Sequence, residues 1–232
     1  YILMLSTLKD RDVPVYLVDS FNRLTPDKAN ALLDMGIDGI HISFDGATKE
    51  TYEKVKVGCN YEQTIQNIRY LLAARGNRPF PEICFRYVIT TFNVNEMPQF
   101  IDMIHREFGE YNIGHIEFVG LLYFPETKQY FVESVPDEVI DEVYKRGEKY
   151  KYIIRFAHPG AALPSRKKCT AWSEPYFMMG GYVLSCCAVL MSNRRPELRR
   201  LAYGNINDTP FRDIWNSRRY RWVRENVNRE DS

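Results

Sequence analysis

The segment Ile40-His-Ile-Ser-Phe-Asp45 gives the clearest indication of the fold. Apolar and polar residues alternate along it, as they do in a β-strand that is buried on one face. The polar set, which is His41, Ser43 and Asp45, shares one face of this strand. We expect the apolar face to meet helices and the polar face to line the interior of a barrel.

Strand-like and helix-like segments alternate on both sides of this stretch. The predicted strands are 13–18, 37–45, 83–90, 113–119 and 152–157. The predicted helices are 26–35, 48–53, 61–74, 95–108 and 136–150. This order predicts an α/β fold of parallel βα units. Five strands are too few to close an eight-stranded barrel, so we expect a partial (β/α), TIM-like barrel.

A change in composition divides the chain. Pro, Gly and charged residues replace the periodic pattern at 159–168, which predicts one domain over 1–160 and a smaller one over 161–232. Gly180 and Gly181 favour a tight turn in the second part, so we expect a small cysteine-containing β-hairpin there, followed by a helix.

Three cysteines gather around that hairpin, at Cys169, Cys186 and Cys187. The chain shows no sign of secretion and has five cysteines, an odd number, which argues against a disulfide framework. Thiolates in such a group suit zinc or an iron–sulfur cluster, and the thiolate count alone does not choose between them.

Composition excludes several classes of protein. The chain has 31 basic and 30 acidic residues and a net charge of +1, so no overall field attracts nucleic acid or a membrane surface. No apolar run approaches the roughly 18 residues that span a bilayer, and the first residue is Tyr1 rather than Met. We expect a cytoplasmic fragment whose natural N-terminus lies upstream.

Polar residues recur on the neighbouring strands. Arg86 and Glu117 fall on the same predicted interior face as Ser43 and Asp45. Burial of this set is costly unless its members are paired or bind a ligand, and a purely structural Arg86–Glu117 ion pair is an open alternative. We expect His41 and His115 to be core residues, and Cys84 and Trp222 to be buried.

Longer motifs resemble the radical S-adenosylmethionine (SAM) enzymes that carry a C-terminal SPASM or twitch domain. Gly36-Ile-Asp-Gly-Ile-His-Ile-Ser-Phe-Asp-Gly46 is similar to the family's fourth strand and the turn after it. Cys169, Gly181 and Cys186 match its Cys, spacer, Gly-x-x-x-x-Cys pattern. The run 204–206 and the segment 211–224 resemble the helical part that follows the hairpin.

The resemblance implies cofactors and site residues. It places Ser43 against the SAM ribose, Asp45 in the same turn, and Arg86 near the SAM carboxylate or the substrate. It makes Cys169 and Cys186 ligands of an auxiliary [4Fe-4S] cluster, with Cys187 as a substitute for Cys186.

The resemblance also implies an activity and partners. The parent enzyme would split SAM reductively to start radical chemistry, on a peptide or protein substrate or in enzyme maturation, with electrons from a donor such as flavodoxin or ferredoxin. The family's Cys-x-x-x-Cys-x-x-Cys spacing does not occur in these 232 residues. We therefore expect the chain alone to be inactive on SAM.

Two other functions remain open from the sequence. The first is a non-catalytic module that binds metal or peptide with the same fold. The second is a barrel hydrolase with Asp45 and Glu117 as acid and base.

Overall fold

The computed structural model describes residues 2–122, 125–157, 174–185 and 195–227. The chain divides into two compact units, residues 1–162 and residues 163–232, called here the first and second units.

The first unit is built on five parallel strands in the order β1-β2-β3-β4-β5. The strands are β1 (Tyr16–Asp19), β2 (Gly39–Ser43), β3 (Glu82–Ile89), β4 (His115–Gly120) and β5 (Ile154–Ala157). The helices are α1 (Ile2–Lys9), α2 (Pro26–Asp34), α3 (Lys49–Val55), α4 (Tyr61–Arg75), α5 (Met97–Phe108) and α6 (Asp137–Tyr150). The predicted α/β class and the five predicted strands are confirmed.

The predicted two-faced pattern of the strands is also confirmed. The apolar residues of β2, β3 and β4 are almost fully buried and form the centre of the core. Burial of each such side chain stabilises the fold by about 1.5–3 kcal/mol relative to exposure. The polar face of the same strands is partly open, and Val18 on neighbouring β1 is 52% exposed.

Helix starts follow the expected capping chemistry. Thr25 caps α2 by accepting from the Lys28 backbone N–H, and Pro26 stands in the first turn. Thr48 caps α3 in the same way. These caps satisfy N–H groups that a helix leaves without partners at its amino end.

The amino end of the chain departs from the prediction. The first strand starts at Tyr16 rather than at residue 13, because the Val13 N–H bonds back to the Leu8 carbonyl oxygen and closes the end of α1. Helix α1 was not predicted, since its apolar run carries no clear helical period.

The second unit holds a three-stranded antiparallel sheet in the order β6-β7-β8. Its elements are β6 (Tyr176–Phe177), β7 (Tyr182–Leu184), α7 (Arg195–Leu201), β8 (Gly204–Asn205), α8 (Phe211–Trp215) and α9 (Arg218–Asn226). Gly180 and Gly181 have φ of +92° and +85° and make the predicted turn between β6 and β7.

Two expectations for the second unit were wrong. The segment 211–224 forms two helices instead of one, because Ser217 breaks the run and caps α9 by accepting from the Tyr220 N–H at 3.3 Å. Trp222 is 62% exposed rather than buried, while Ile214 and Tyr220 fill the small core.

Over the part of the chain that the structure describes, no helix combines the length and the apolar character needed to cross a membrane.

Candidate cofactor site at the carboxyl edge of the sheet

Sheet register brings the predicted polar residues into one row. Ser43 on β2 is the register partner of Arg86 on β3, and Arg86 is the partner of Glu117 on β4. Arg155 on β5 continues the row. In parallel sheets flanked by helices, ligands bind at the carboxyl ends of the strands, which is where Ser43 lies.

Lys56 joins two of the predicted residues. Its Nζ lies 2.9 Å from Ser43 Oγ and 2.8 Å from Asp45 Oδ2. We call Ser43, Asp45 and Lys56 the carboxyl-edge cluster. The Ser43 hydroxyl accepts from Lys56, so its own proton is available to another acceptor. Sequence reasoning missed Lys56, because it follows α3 and only the path of the chain brings it back to β2.

Asp45 is held by the protein on both carboxylate oxygens. Its Oδ1 accepts from the Val88 N–H at 2.8 Å, while Oδ2 faces Lys56. Asn93, which is fully buried, donates from Nδ2 to the Asp45 carbonyl oxygen at 3.1 Å. Asp45 therefore fastens the turn after β2 to β3, and within the carboxyl-edge cluster this leaves Ser43 and Lys56 to meet a ligand.

Arg86 and Glu117 form the ion pair that the sequence left open. Arg86 Nε and Nη2 each lie 2.7 Å from Glu117 Oε2. The Arg86 side chain is 32% exposed, so a ligand above the row can still reach it. The described contacts do not bring Asp45 and Glu117 together at one site. They therefore do not support a hydrolase that uses these two residues as acid and base.

A second row lies two residues closer to the amino ends of the strands. His41 is the register partner of Cys84, and Cys84 is the partner of His115. Cys84 is 2% exposed and His115 is 5% exposed, as predicted for core residues. However, the Nδ1 atom of His41 is buried without a hydrogen-bond partner among the described residues, so His41 is not a satisfied core histidine.

Burial dominates the protonation of this row. Desolvation lowers the pKa of both His41 and His115, and the positive charges of Arg86 and Arg155 act in the same direction. Burial raises the pKa of the Cys84 thiol to about 12. Both imidazoles are therefore neutral near pH 7, and the thiol keeps its proton in the absence of a metal.

In the second unit, the described hairpin ends close in sequence to the predicted thiolate ligands. Strand β7 ends at Leu184, two residues before Cys186 in the sequence. Asn205 and Asn207 both donate to the Gly180 carbonyl oxygen, at 2.8 and 3.1 Å, and fix the turn. Cys169, Cys186 and Cys187 themselves lie outside the described residues, and their ligand roles stay predictions.

Comparison with known families identifies the second unit. Residues 169–232 match the model of the SPASM family, an iron–sulfur cluster-binding domain. The predicted match of the cysteine region to that family is confirmed.

Two curated proteins are similar in sequence. A probable GTP 3′,8-cyclase of Methanococcus maripaludis is 25% identical over 196 residues, which cover 79% of this chain and 62% of that protein. A tungsten-containing aldehyde ferredoxin oxidoreductase cofactor-modifying protein of Pyrococcus furiosus is 21% identical over 239 residues. This match covers 95% of this chain and 64% of that protein. The chain thus spans less than two thirds of either relative.

Solved structures share the fold. Streptococcus suis SuiB is 12% identical with a TM-score of 0.69, over 97% of this chain and 54% of SuiB. SuiB bound to S-adenosylmethionine matches at 12% identity and a TM-score of 0.68, over 96% and 53%. SuiB bound to the precursor peptide SuiA is 11% identical with a TM-score of 0.69, and the match covers 96% of this chain and 52% of SuiB. The chain therefore resembles radical SAM enzymes in sequence and fold, and its residues 169–232 match the model of the SPASM domain.

Proposed function

We propose that this chain is the part of a radical SAM–SPASM enzyme that holds SAM at the carboxyl edge of its sheet and an auxiliary iron–sulfur cluster on its second unit. When bound with a reduced cluster, SAM supplies the radical that starts the reaction. The chain's own residues bind, orient and shield these groups.

The observation that carries the proposal is the position of Ser43. Its hydroxyl lies at the carboxyl end of β2, is partly exposed, and is oriented by Lys56. A ribose presents hydroxyl groups that both donate and accept, and Ser43 can match either role. Lys56 and the partly exposed Arg86 are each paired with a carboxylate, and their remaining N–H groups can donate to the carboxylate of SAM.

The auxiliary cluster is proposed for Cys169 and Cys186, with Cys187 as a substitute. Cluster iron takes thiolate ligands, and these three cysteines flank the hairpin in the sequence. The match of residues 169–232 to a cluster-binding domain supports the same assignment.

The substrate proposed for the whole protein is a peptide or protein. Support comes from the likeness to SuiB, which has been solved with a precursor peptide bound. A small redox protein such as flavodoxin or ferredoxin is the proposed electron donor. The cytoplasm is the proposed location.

Binding of labelled SAM tests the first part of the proposal. We would measure it by equilibrium dialysis under anaerobic conditions, on the polypeptide that the coding sequence specifies after reconstitution with iron and sulfide. Ser43→Ala should weaken binding about 5- to 10-fold, since one hydrogen bond contributes about 1 kcal/mol. Ser6→Ala, a change in α1 far from the sheet edge in sequence, is the matched control.

Two results would count against the proposal. Absence of SAM binding would favour the non-catalytic module, and equal SAM affinity in Ser43→Ala and Ser6→Ala would remove Ser43 from the site.

A further inference from the structure

The second polar row, called here the His–Cys–His row, consists of His41, Cys84 and His115. These residues are direct register partners on three adjacent strands, so their side chains leave the same face of the sheet side by side. The row lies two residues, or about 7 Å, from the row of Ser43 along the strands. It is therefore separate from the carboxyl-edge cluster.

The three side chains converge on one point. One ring nitrogen of each histidine and the Cys84 Sγ all lie within 4.8 Å of one another. Cys84 Sγ is 3.0 Å from His115 Nδ1, and the two imidazole rings meet edge to face with their centroids 6.1 Å apart. Ligand atoms around a tetrahedral Zn²⁺ are separated by about 3.3–3.6 Å, given bond lengths of about 2.0–2.3 Å. Small side-chain rotations would complete that geometry.

We propose that His41, Cys84 and His115 bind one divalent transition metal ion, and that Zn²⁺ is the favoured occupant. A thiolate with two imidazoles is a donor set that suits zinc, since it mixes a soft ligand with borderline ones. Hard cations such as Mg²⁺ and Ca²⁺ prefer oxygen ligands and are not expected here.

The orphaned atom of His41 independently points to a ligand. A buried polar atom without a partner costs about 1–3 kcal/mol, and His41 Nδ1 is in that state among the described residues. Both histidines favour the neutral form, which is the form that binds metal. The Cys84 thiol would release its proton to solvent when the ion binds.

The surrounding charges leave room for a fourth ligand. Glu82 Oε1 is 3.5 Å from His115 Nδ1, and its side chain is half exposed, so Glu82 or a water can take the fourth position. Glu117 adds negative charge nearby but is paired with Arg86. Arg155 approaches His115 Nε2 at 3.5 Å, and this exposed arginine has to withdraw when Nδ1 binds the ion and Nε2 carries the proton.

Such an ion would tie β2, β3 and β4 together near their amino ends. The expected consequence is a stability that depends on metal, because an ion that binds only the folded chain raises its free energy of unfolding. The proposal does not depend on SAM or on the auxiliary cluster.

Cobalt binding provides the test. The full chain would carry Cys169→Ser, Cys186→Ser and Cys187→Ser, so that the second unit offers none of its cysteines. Anaerobic titration with Co²⁺ would follow the thiolate-to-cobalt charge-transfer band and the visible d–d bands. We expect one Co²⁺ per chain, displaced by Zn²⁺.

Single changes in that background assign the ligands. Cys84→Ser should abolish the charge-transfer band, and His41→Ala should weaken binding by more than about 100-fold, since even outer partners of metal sites account for about 10- to 100-fold. Cys59→Ser, which changes the other cysteine of the first unit, should leave both band and affinity unchanged. Far-ultraviolet circular dichroism would confirm that each variant is folded.

The chain with the three second-unit cysteines replaced tests the proposal even if a further variant does not fold. If it shows no charge-transfer band, the row is a hydrogen-bonded core cluster and the proposal is wrong. A band that survives Cys84→Ser, or disappears in Cys59→Ser, would also overturn it.

Discussion

Removal of the Asp45 carboxylate should destabilise the first unit strongly. Asp45→Ala leaves Lys56, whose side chain is only 17% exposed, without its carboxylate partner, and it leaves the Val88 N–H without its acceptor. Breaking a buried ion pair costs about 3–5 kcal/mol. Because Lys56 keeps Ser43 and some water, we take the lower end, about 3–4 kcal/mol in total.

Replacing Asp45 by Asn separates the contribution of the ion pair with Lys56 from that of the hydrogen bond with Val88. Asp45→Asn keeps an oxygen that can accept from Val88 but, like Asp45→Ala, removes the negative charge that faces Lys56. We therefore expect it to cost about 1 kcal/mol less than Asp45→Ala, or about 2–3 kcal/mol. Asp141→Ala, an exposed change on α6, should stay within about 0.5 kcal/mol. In thermal unfolding, Asp45→Ala should lower the Tm by about 10 °C, at about 2–4 °C per kcal/mol for a unit of this size.

Two spectroscopic signals report the two units separately. All three tryptophans, at 172, 215 and 222, belong to the second unit, so tryptophan fluorescence follows that unit. Far-ultraviolet circular dichroism is dominated by the helices of the first unit. The Asp45 series should shift the urea midpoint seen by circular dichroism. A loss below 1 kcal/mol for Asp45→Ala, or equal losses for the Ala and Asn variants, would refute this reasoning.

Two further predictions concern other parts of the chain. The pKa of Asp38 is lowered by the Val15 N–H, which donates to Oδ2 at 2.7 Å, and by the Lys9 ammonium at 2.9 Å. The ionised Asp38 carboxylate therefore stabilises the fold fully above its ordinary pKa near 3.8. This stabilisation is lost as the pH falls through the lower pKa of the folded state. We would measure urea midpoints from about pH 2.5 to about pH 7, a range that brackets carboxylate titration. On acidification the midpoint of Asp38→Asn should fall less steeply than that of the unmodified chain, and an equal slope would contradict this. Gly181→Ala should destabilise the second unit by about 1–3 kcal/mol, as measured by urea unfolding followed by tryptophan fluorescence. The left-handed backbone disfavours Ala, and the added Cβ would clash with the side chains of Asn205 and Asn207. Gly58 has the same φ of +85°, and a Cβ added there would meet nothing within 4 Å. Gly58→Ala should therefore cost the first unit less, and equal losses would show that the clash with Asn205 and Asn207 is unimportant.

Much of the fold could be predicted because local chemistry agrees with it. The alternation in 40–45 determines which face of β2 is buried, and the caps at Thr25 and Thr48 determine where helices begin. The glycines at 180 and 181 determine the hairpin turn. Helix α1 was missed since eight residues without a clear period contain too little signal.

The site was harder to predict because its contacts depend on register and on chain path. Ser43 and Arg86 could be placed on one face from their strands alone. The approach of Lys56 to Ser43 depends on how the chain returns after α3, which no local pattern specifies. The side-by-side placement of His41, Cys84 and His115 depends on the register of three strands, and a slip of one residue would send each side chain to the opposite face.

The iron and acid-labile sulfide content of the chain shows whether the second unit holds an auxiliary cluster. We would measure both in the chain after anaerobic reconstitution, beside a Cys169→Ala/Cys186→Ala variant, with an absorption spectrum of each. We expect about four iron and four sulfide per chain, as in a [4Fe-4S] cluster, and their loss in the variant. Zinc alone, no metal, or a cluster that survives the double substitution would contradict this expectation.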